Sequence, residues 1–338
     1  MISFPEVFAL LAEKKTLSPE MVRAAFDAIL AGEWTAVQTG AFAASLRVTG
    51  ESKETIVAAA RSLRAAMTPI AHDLPLVADT CGTGGDGANT LNLSTAAAIV
   101  LAACGVPVAK HGNRSVSSRC GSADVVEALG IAMDRSPEAH ARLLREVGIT
   151  FLFAPAHHPA LKHAAVARRE LGVRTIFNAL GPLVNPARAT HQIVGVYDES
   201  LRVMMAEALG ALGVKRAWVV RSVDGLDEVS PSATTRVSEL REDGSIVDRE
   251  VSPNDFGLPI SHGSVAVGGS PEENAKSLEY ILMGGVHAAT DAVILNASAA
   301  LCAVGSEADP RTAAERARAA IERGDAGRML TRWREAAR

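Results

Sequence analysis

The sequence predicts an α/β protein in two parts: a small N-terminal helical domain at 1–69, and a large α/β domain at 70–338 with a mostly parallel central sheet. Three observations predict it. Helix starts and amphipathic runs fill the first part, short apolar strands alternate with helices after it, and the hydrophobic residues (48%) include few aromatics (4%). A core of Ala, Val, Leu and Ile suits close packing of helices on a sheet.

In chain order, helices are expected at 5–15, 19–31, 36–48 and 53–67. Ser18-Pro19 supplies an N-cap and a proline in the first turn, Thr35 with Gln38 reads as a capping box, and Gly32 and Gly50 separate the segments. Thr68-Pro69 marks the boundary. Strands are expected at 76–79, 106–109, 150–153, 191–196, 217–220 and 264–267, and 236–251, with Asp243-Gly244 at its middle, reads as a peripheral antiparallel hairpin. A helix is expected over 159–171, and Ser270-Pro271-Glu272-Glu273 is a helix start.

Two polar loops carry the functional signal. Gly82-Thr83-Gly84-Gly85-Asp86-Gly87 follows the first strand and precedes Asn92-Leu93-Ser94-Thr95, where Asn92 or Ser94 could cap the apolar helix that runs on from Ala96. That helix ends near Gly105, and Pro107 opens the strand that delivers Lys110-His111-Gly112-Asn113-Arg114-Ser115-Val116-Ser117-Ser118 to the same sheet edge. A glycine-rich turn is often only a turn, and a polar loop is often only solvated. One strand-helix-strand unit apart, at the edge where such sheets bind ligands, the pair reads as a phosphate cradle. There is no Gly-Lys-Ser/Thr ending and no dinucleotide fingerprint.

Other residues narrow the chemistry. Asp227-Glu228 lies just beyond the apolar Trp218-Val219-Val220, where adjacent carboxylates could hold magnesium or simply sit in a surface loop; Asp224-Gly225 reads as a turn. On the 159–171 helix, Arg168 shares a face with Leu161, Ala164, Ala165 and Leu171. Its guanidinium could fork onto a carboxylate, close an internal ion pair or snorkel to water. His157-His158 has no third metal ligand at a convincing spacing. Cys81, Cys104, Cys120 and Cys302 have no paired spacing, so neither a zinc site nor a disulfide framework is suggested. A net charge of −4 gives no general pull on nucleic acid or anionic membrane, so any anion site is local. The start lacks a secretory signal and no apolar run spans a bilayer, which makes the cytoplasm the default.

The glycine loop, the Asn92–Thr95 step, the Lys110–Ser118 loop and Arg174-Thr175-Ile176-Phe177-Asn178-Ala179-Leu180-Gly181-Pro182-Leu183 together resemble the anthranilate phosphoribosyltransferase family of tryptophan biosynthesis, over nearly the whole chain. The resemblance implies a fold of the nucleoside phosphorylase and phosphoribosyltransferase type. It also implies transfer of the phosphoribosyl group of phosphoribosyl pyrophosphate to anthranilate, with two magnesium ions per site held by Ser94, Asp227 and Glu228. Gly82, Gly85, Asp86, Thr90, Asn92, Leu93, Ser94, Thr95, Lys110, His111, Gly112, Asn113, Arg114, Ser115, Val116, Ser117, Ser118 and Ser122 would contact the donor. Gly82, Asn113, His158, Arg168 and Gly181 would contact anthranilate, and His111 could assist a proton transfer. The segment 160–182 would return to the helical domain or form the hinge, and the helical domain would carry a homodimer contact. Two alternatives stand beside this reading: a pyrimidine nucleoside phosphorylase, which has no need of the Asp-Glu pair, and a non-catalytic nucleic-acid-binding relative, which would want a basic groove.

Overall fold

Helix caps set the first part of the chain. The computed structural model describes residues 2–115, 119–261 and 266–338, and opens with α1 (Phe4–Ala12), α2 (Pro19–Leu30), α3 (Ala36–Thr49) and α4 (Lys53–Ala66). Ser18 accepts from the Met21 N–H, and Thr35 and Gln38 exchange both bonds of the predicted capping box. Each cap satisfies an N–H that the first helical turn leaves without a partner.

The remainder follows as β1 (Ala78–Asp79), α5 (Leu93–Ala103), β2 (Val108–Gly112), α6 (Ser122–Ala128), α7 (Pro137–Glu146), β3 (Ile149–Phe153), α8 (Ala154–His157), α9 (Lys162–Leu171), α10 (Ile176–Ala179) and β4 (His191–Gly195). Then come α11 (Leu201–Ala211), β5 (Arg216–Ser222), β6 (Thr235–Leu240), β7 (Ile246–Val251), α12 (Pro271–Leu282), α13 (Thr290–Ala303), α14 (Pro310–Glu322) and α15 (Asp325–Ala336). The seven strands form one sheet in the order β3-β2-β1-β4-β5-β6-β7. Pairings from β3 to β5 are parallel and the last two are antiparallel. The chain leaves β1 toward β2 on one side and returns to β4 on the other, so the strand order reverses at β1. A crevice outside the carboxyl ends of the strands at such a reversal is where open α/β sheets bind ligands.

Both faces of the sheet are covered. Along β5, Trp218 and Val220 enter a core with α5, α6 and α12–α15, while Ala217 and Val219 enter a second core with α1–α4, α10 and α11. Helix α9 packs on α2 and α3, and α10 on α3, which brings the later segment back to the helical bundle.

Several expectations are corrected. Strand β1 covers only Ala78–Asp79, because the Val77 N–H just before it donates to the Thr190 hydroxyl and not to a neighbouring strand. The antiparallel hairpin expected at 236–251 is present, but it is part of the central sheet: β6 pairs with β5, and β7 forms the edge. Of the strand expected at 264–267, Ser264 and Val265 lie outside the described residues, and Val267 forms an isolated bridge to Thr90. The helix over 159–171 begins as a 3-10 turn at Pro159–Leu161. Asn92 occupies the N-cap of α5 without capping it by its side chain, which instead donates to the Cys120 carbonyl and accepts from Asn274.

Buried histidines give the fold a testable acid limit. His140 on α7 meets Thr150 Oγ1 on β3 at 2.8 Å, and burial pushes it down to about 4 from 6.5. The unfolded chain takes up this proton near pH 6.5 and the folded chain refuses it until about pH 4, so the ring's contribution to stability is lost as pH falls through that window. Scanning calorimetry of wild type beside His140→Gln should show unfolding temperatures falling faster in wild type from pH 7 to pH 4 than in the variant. Parallel curves would exclude this origin.

Candidate active site

The site is assembled where β1, β2 and β4 end. After β1 the chain turns through Gly84 and Gly85, at φ 64° and 84°, a conformation that side chains rarely adopt. Thr83 roots this loop on β4: its N–H donates to the Gly195 carbonyl at 2.8 Å, and its hydroxyl accepts from the Tyr197 N–H at 3.0 Å. Arg174 donates to the Gly85 carbonyl at 2.8 Å and lies over the Tyr197 ring at 4.4 Å.

Behind the loop stand the carboxylates. Asp86 accepts from the Ala88 N–H at 3.0 Å and, more distantly, from the Asp227 N–H at 3.4 Å. A Cβ on Gly82 would lie 3.0 Å from the Gly195 carbonyl oxygen and 3.4 Å from Asp227 Oδ2, so glycine lets the loop lie close to the acidic pair. Glu228 Oε1 accepts from the Ser94 N–H at 3.2 Å and thereby serves the start of α5, while its Oε2 is buried without a partner. Asn296 of α13 pins the next residue on both sides, accepting from the Val229 N–H and donating to its carbonyl. Asp224 does the turn work expected of it, accepting from Ser230 Oγ at 2.6 Å. Burial first, and Asp86 second, push Asp227 up to about 7; burial, then Asp227 and Asp86, push Glu228 well above the usual range. Crowded carboxylates with an unpartnered oxygen fit a divalent cation. Among the described residues no three His, Cys, Asp or Glu side chains form a closed metal cage, and magnesium needs none, since one or two carboxylates suffice when water and phosphate oxygens complete its shell.

Lys110, His111 and Gly112 belong to β2, so the second loop starts only at Asn113. Lys110 is buried and points Nζ at Thr80 Oγ1 (3.1 Å), the Thr80 carbonyl (3.3 Å) and Ser94 Oγ (3.4 Å), bracing the floor of the cradle. Leu93 and Thr95 are fully buried, backbone included, so neither presents surface to a ligand as the chain stands, and Thr90 is held by its bridge to Val267. Arg114, expected as a fixed charge contacting the donor, pairs with Asp124 and Glu127 at 2.9 and 2.8 Å, because α6 presents both acids to it. Ser122 Oγ donates to the Asn113 carbonyl, and Ser115 N–H donates to Asp124. Val116, Ser117 and Ser118 lie outside the described residues.

The acceptor candidates gather on the other side. His111 Nδ1 donates to the Gly181 carbonyl at 3.1 Å, and its ring lies 5.2 Å from that of His158. Burial pushes His111 down to about 3 and His158 to about 4, so both are neutral at pH 7. A ring held that low is a poor proton acceptor, which counts against His111 in proton transfer. Arg168 is half-buried over the Phe177 ring at 5.6 Å and forms no ion pair among the described residues. Its helix buries Ala164 and Ala167 and leaves Ala165 exposed, so the apolar face is turned from the expected one. The internal ion pair is thus not made, and burial without a counter-ion pushes the guanidinium down.

This arrangement has close relatives. The sequence profile described as "Glycosyl transferase family, helical bundle domain" matches residues 5–67, and that described as "Glycosyl transferase family, a/b domain" matches 74–327. The anthranilate phosphoribosyltransferase of Myxococcus xanthus is 47% identical over 330 residues, 98% of each chain, and that of Symbiobacterium thermophilum is 49% identical over 96% of this chain and 95% of its own. The chain belongs to the anthranilate phosphoribosyltransferase family. Among solved structures, the Thermus thermophilus anthranilate phosphoribosyltransferase superposes with a TM-score of 0.92 at 38% identity, covering 98% of this chain and 99% of that one. The Saccharomyces cerevisiae anthranilate phosphoribosyltransferase in complex with PRPP and Mg superposes at 0.91 with 28% identity, covering 99% and 97%. Its complex with 4-fluoroanthranilate gives 0.89 at 27%, covering 99% and 98%.

Several supports of this anthranilate phosphoribosyltransferase site escape sequence reasoning. Asp79, buried at the end of β1, accepts from the His111 N–H at 3.1 Å and from Asn185 Nδ2 at 2.7 Å, and Asn185 also donates to the Ala109 carbonyl. Burial lifts Asp79 to about 6. Asn185, Asn296 and Gly195 come from segments remote in sequence, so no local motif marks them, and Arg174, although it opens a family motif, gives no local sign of its bond to the Gly85 carbonyl.

Proposed function

We infer that this chain transfers the phosphoribosyl group of phosphoribosyl pyrophosphate to the amine of anthranilate, giving N-(5-phosphoribosyl)anthranilate and pyrophosphate in tryptophan biosynthesis. The meeting of the glycine loop with the half-buried Asp227-Glu228 pair at the reversal of strand order carries the reading. The relatives' names favour it over the phosphorylase, and the mildly acidic charge speaks against nucleic acid.

The donor would lie on the N–H groups of 82–87 and the start of α5, with Ser94, Asp227 and Glu228 holding two magnesium ions. Bound there, magnesium would neutralise charge on the pyrophosphate. Lys110 fixes the Ser94 hydroxyl from below, and loop N–H groups face the departing anion in a partly dry crevice, where oriented dipoles act strongly. Arg168 would hold the anthranilate carboxylate, with Asn113, His158 and Gly181 framing the ring. An aromatic amine is neutral at pH 7 and attacks without a general base, which suits a site whose histidines stay unprotonated. Positioning then supplies much of the rate.

We further propose that 1–69 moves with 160–182 against 70–338 and that their closure excludes water. The packing of α9 on α2 and α3 supports this division. Phe8, Val37 and Val48 expose apolar surface on the helical part, and Ile2, Leu10 and Met21 line a groove of the same part, which supports a homodimer contact there. No described helix is long and apolar enough to cross a membrane, and a cytoplasmic location belongs to the same proposal.

Anthranilate fluorescence should fall only when protein, phosphoribosyl pyrophosphate and magnesium are all present. Arg168→Ala should raise the anthranilate KM roughly 10- to 100-fold, the value of a charge-assisted pair, and leave the donor KM near wild type. No turnover by folded wild-type protein would reject the reading, and thymidine with phosphate would then be tried.

A further inference from the structure

Arg174 makes three observations into one. Its guanidinium donates to the carbonyl of Gly85 at the tip of the glycine loop, lies over the Tyr197 ring at 4.4 Å, and forms no ion pair among the described residues. Arginine is the side chain that does both, since its plane stacks while its N–H edge donates. Tyr197 is itself fixed, because its N–H holds Thr83 at the root of the same loop. The shelf and the loop therefore belong to one rigid unit, and Arg174 reaches it from the α9–α10 connection, six residues beyond Arg168.

A trans peptide points its C=O and the following N–H in opposite directions, and the chain has no cis peptide among the described residues. Holding the Gly85 carbonyl toward the α9–α10 side turns the Asp86 N–H toward the cradle, and that N–H makes no hydrogen bond among the described residues. Gly85 has no side chain to resist the ψ rotation that would flip this peptide, and aspartate at 86 is among the few residue types that tolerate the left-handed φ the flip would require. A flipped peptide would present a carbonyl oxygen to an anion.

We propose that Arg174 is a positioning residue of the donor site, which holds the 85–86 peptide with its N–H facing the pyrophosphate. This rests on the transferase reading for the identity of the donor. It assigns Arg174 no contact with the reacting atoms.

The test compares wild type, Arg174→Met and Arg174→Lys. Titration calorimetry with magnesium phosphoribosyl pyrophosphate should show roughly tenfold weaker binding in Arg174→Met, the worth of one hydrogen bond that orients an anion-binding group. The donor KM should rise by the same factor, with kcat and the anthranilate KM within about twofold of wild type. Arg174→Lys keeps a donor for the Gly85 carbonyl and should recover most of the loss. Unchanged donor affinity in Arg174→Met, a lysine variant no better than the methionine one, or a joint loss of kcat and both KM values with a lowered unfolding temperature would each overturn the proposal. If wild type binds the donor with this dependence on Arg174 but never consumes anthranilate, the positioning role stands and the acceptor assignment fails.

Discussion

Gly195→Ala is expected to eliminate measurable turnover and to destabilise the folded chain by about 3 kcal/mol or more. Gly195 ends β4, and its carbonyl receives the Thr83 N–H that roots the glycine loop. A Cβ there would overlap the carbonyl oxygen of Asp227, which is backbone and cannot swing aside as a side chain could. The Asp227 segment has little freedom to retreat, because Asn296 holds Val229 by both its N–H and its carbonyl. The strain must then separate the glycine loop from the carboxylates, the two halves of the proposed donor site. Calorimetry and the fluorescence assay check both outcomes. Gly181→Ala is the control for folding, since its added Cβ meets nothing within 4 Å, and it should unfold at the wild-type temperature. A fully active Gly195→Ala enzyme would mean that β4 and the acidic loop do not touch.

That contact marks the limit of what the sequence discloses. Helix starts are local, and Ser18, Thr35 and Ser270 each cap the helix that follows them as read. The glycine loop is legible for the same reason, since its chemistry lies within six consecutive residues. Lys110 was legible as a cation near phosphate, but its place was not: β2 continues through Gly112 and buries it. The ion pairs of Arg114 are not legible, because its partners, Asp124 and Glu127, lie on a helix whose orientation only the fold decides. Gly195 and Asn296 have no local signature at all. They matter because the sheet brings β4, β5 and α13 together, and strand order is set by packing across the whole chain.

The variant Asp227→Asn/Glu228→Gln should lose roughly a thousandfold in turnover, corresponding to the several kcal/mol that metal-assisted charge stabilisation contributes. The same variant should make the ligand-free protein more stable. Two half-buried carboxylates beside Asp86 repel one another, and the buried Glu228 Oε2 has no partner to offset its burial. The sign follows from proton binding. The folded chain keeps a proton on Asp227 up to about pH 7, whereas the unfolded chain releases it near 3.8, so this group lowers wild-type stability as pH rises through that window. The advantage of the variant should open above pH 4 and be complete above pH 7. Melts at pH 5 and pH 8, with and without magnesium phosphoribosyl pyrophosphate, separate the two effects. Wild type should melt lower than the variant when ligand-free at pH 8 and regain its stability with the ligand, because binding to the folded state adds directly to stability. The variant should not respond. A variant less stable than wild type at pH 8 would instead mean that the charge of Glu228 is kept for its bond to the Ser94 N–H, a brace on α5 that a neutral glutamine oxygen makes more weakly.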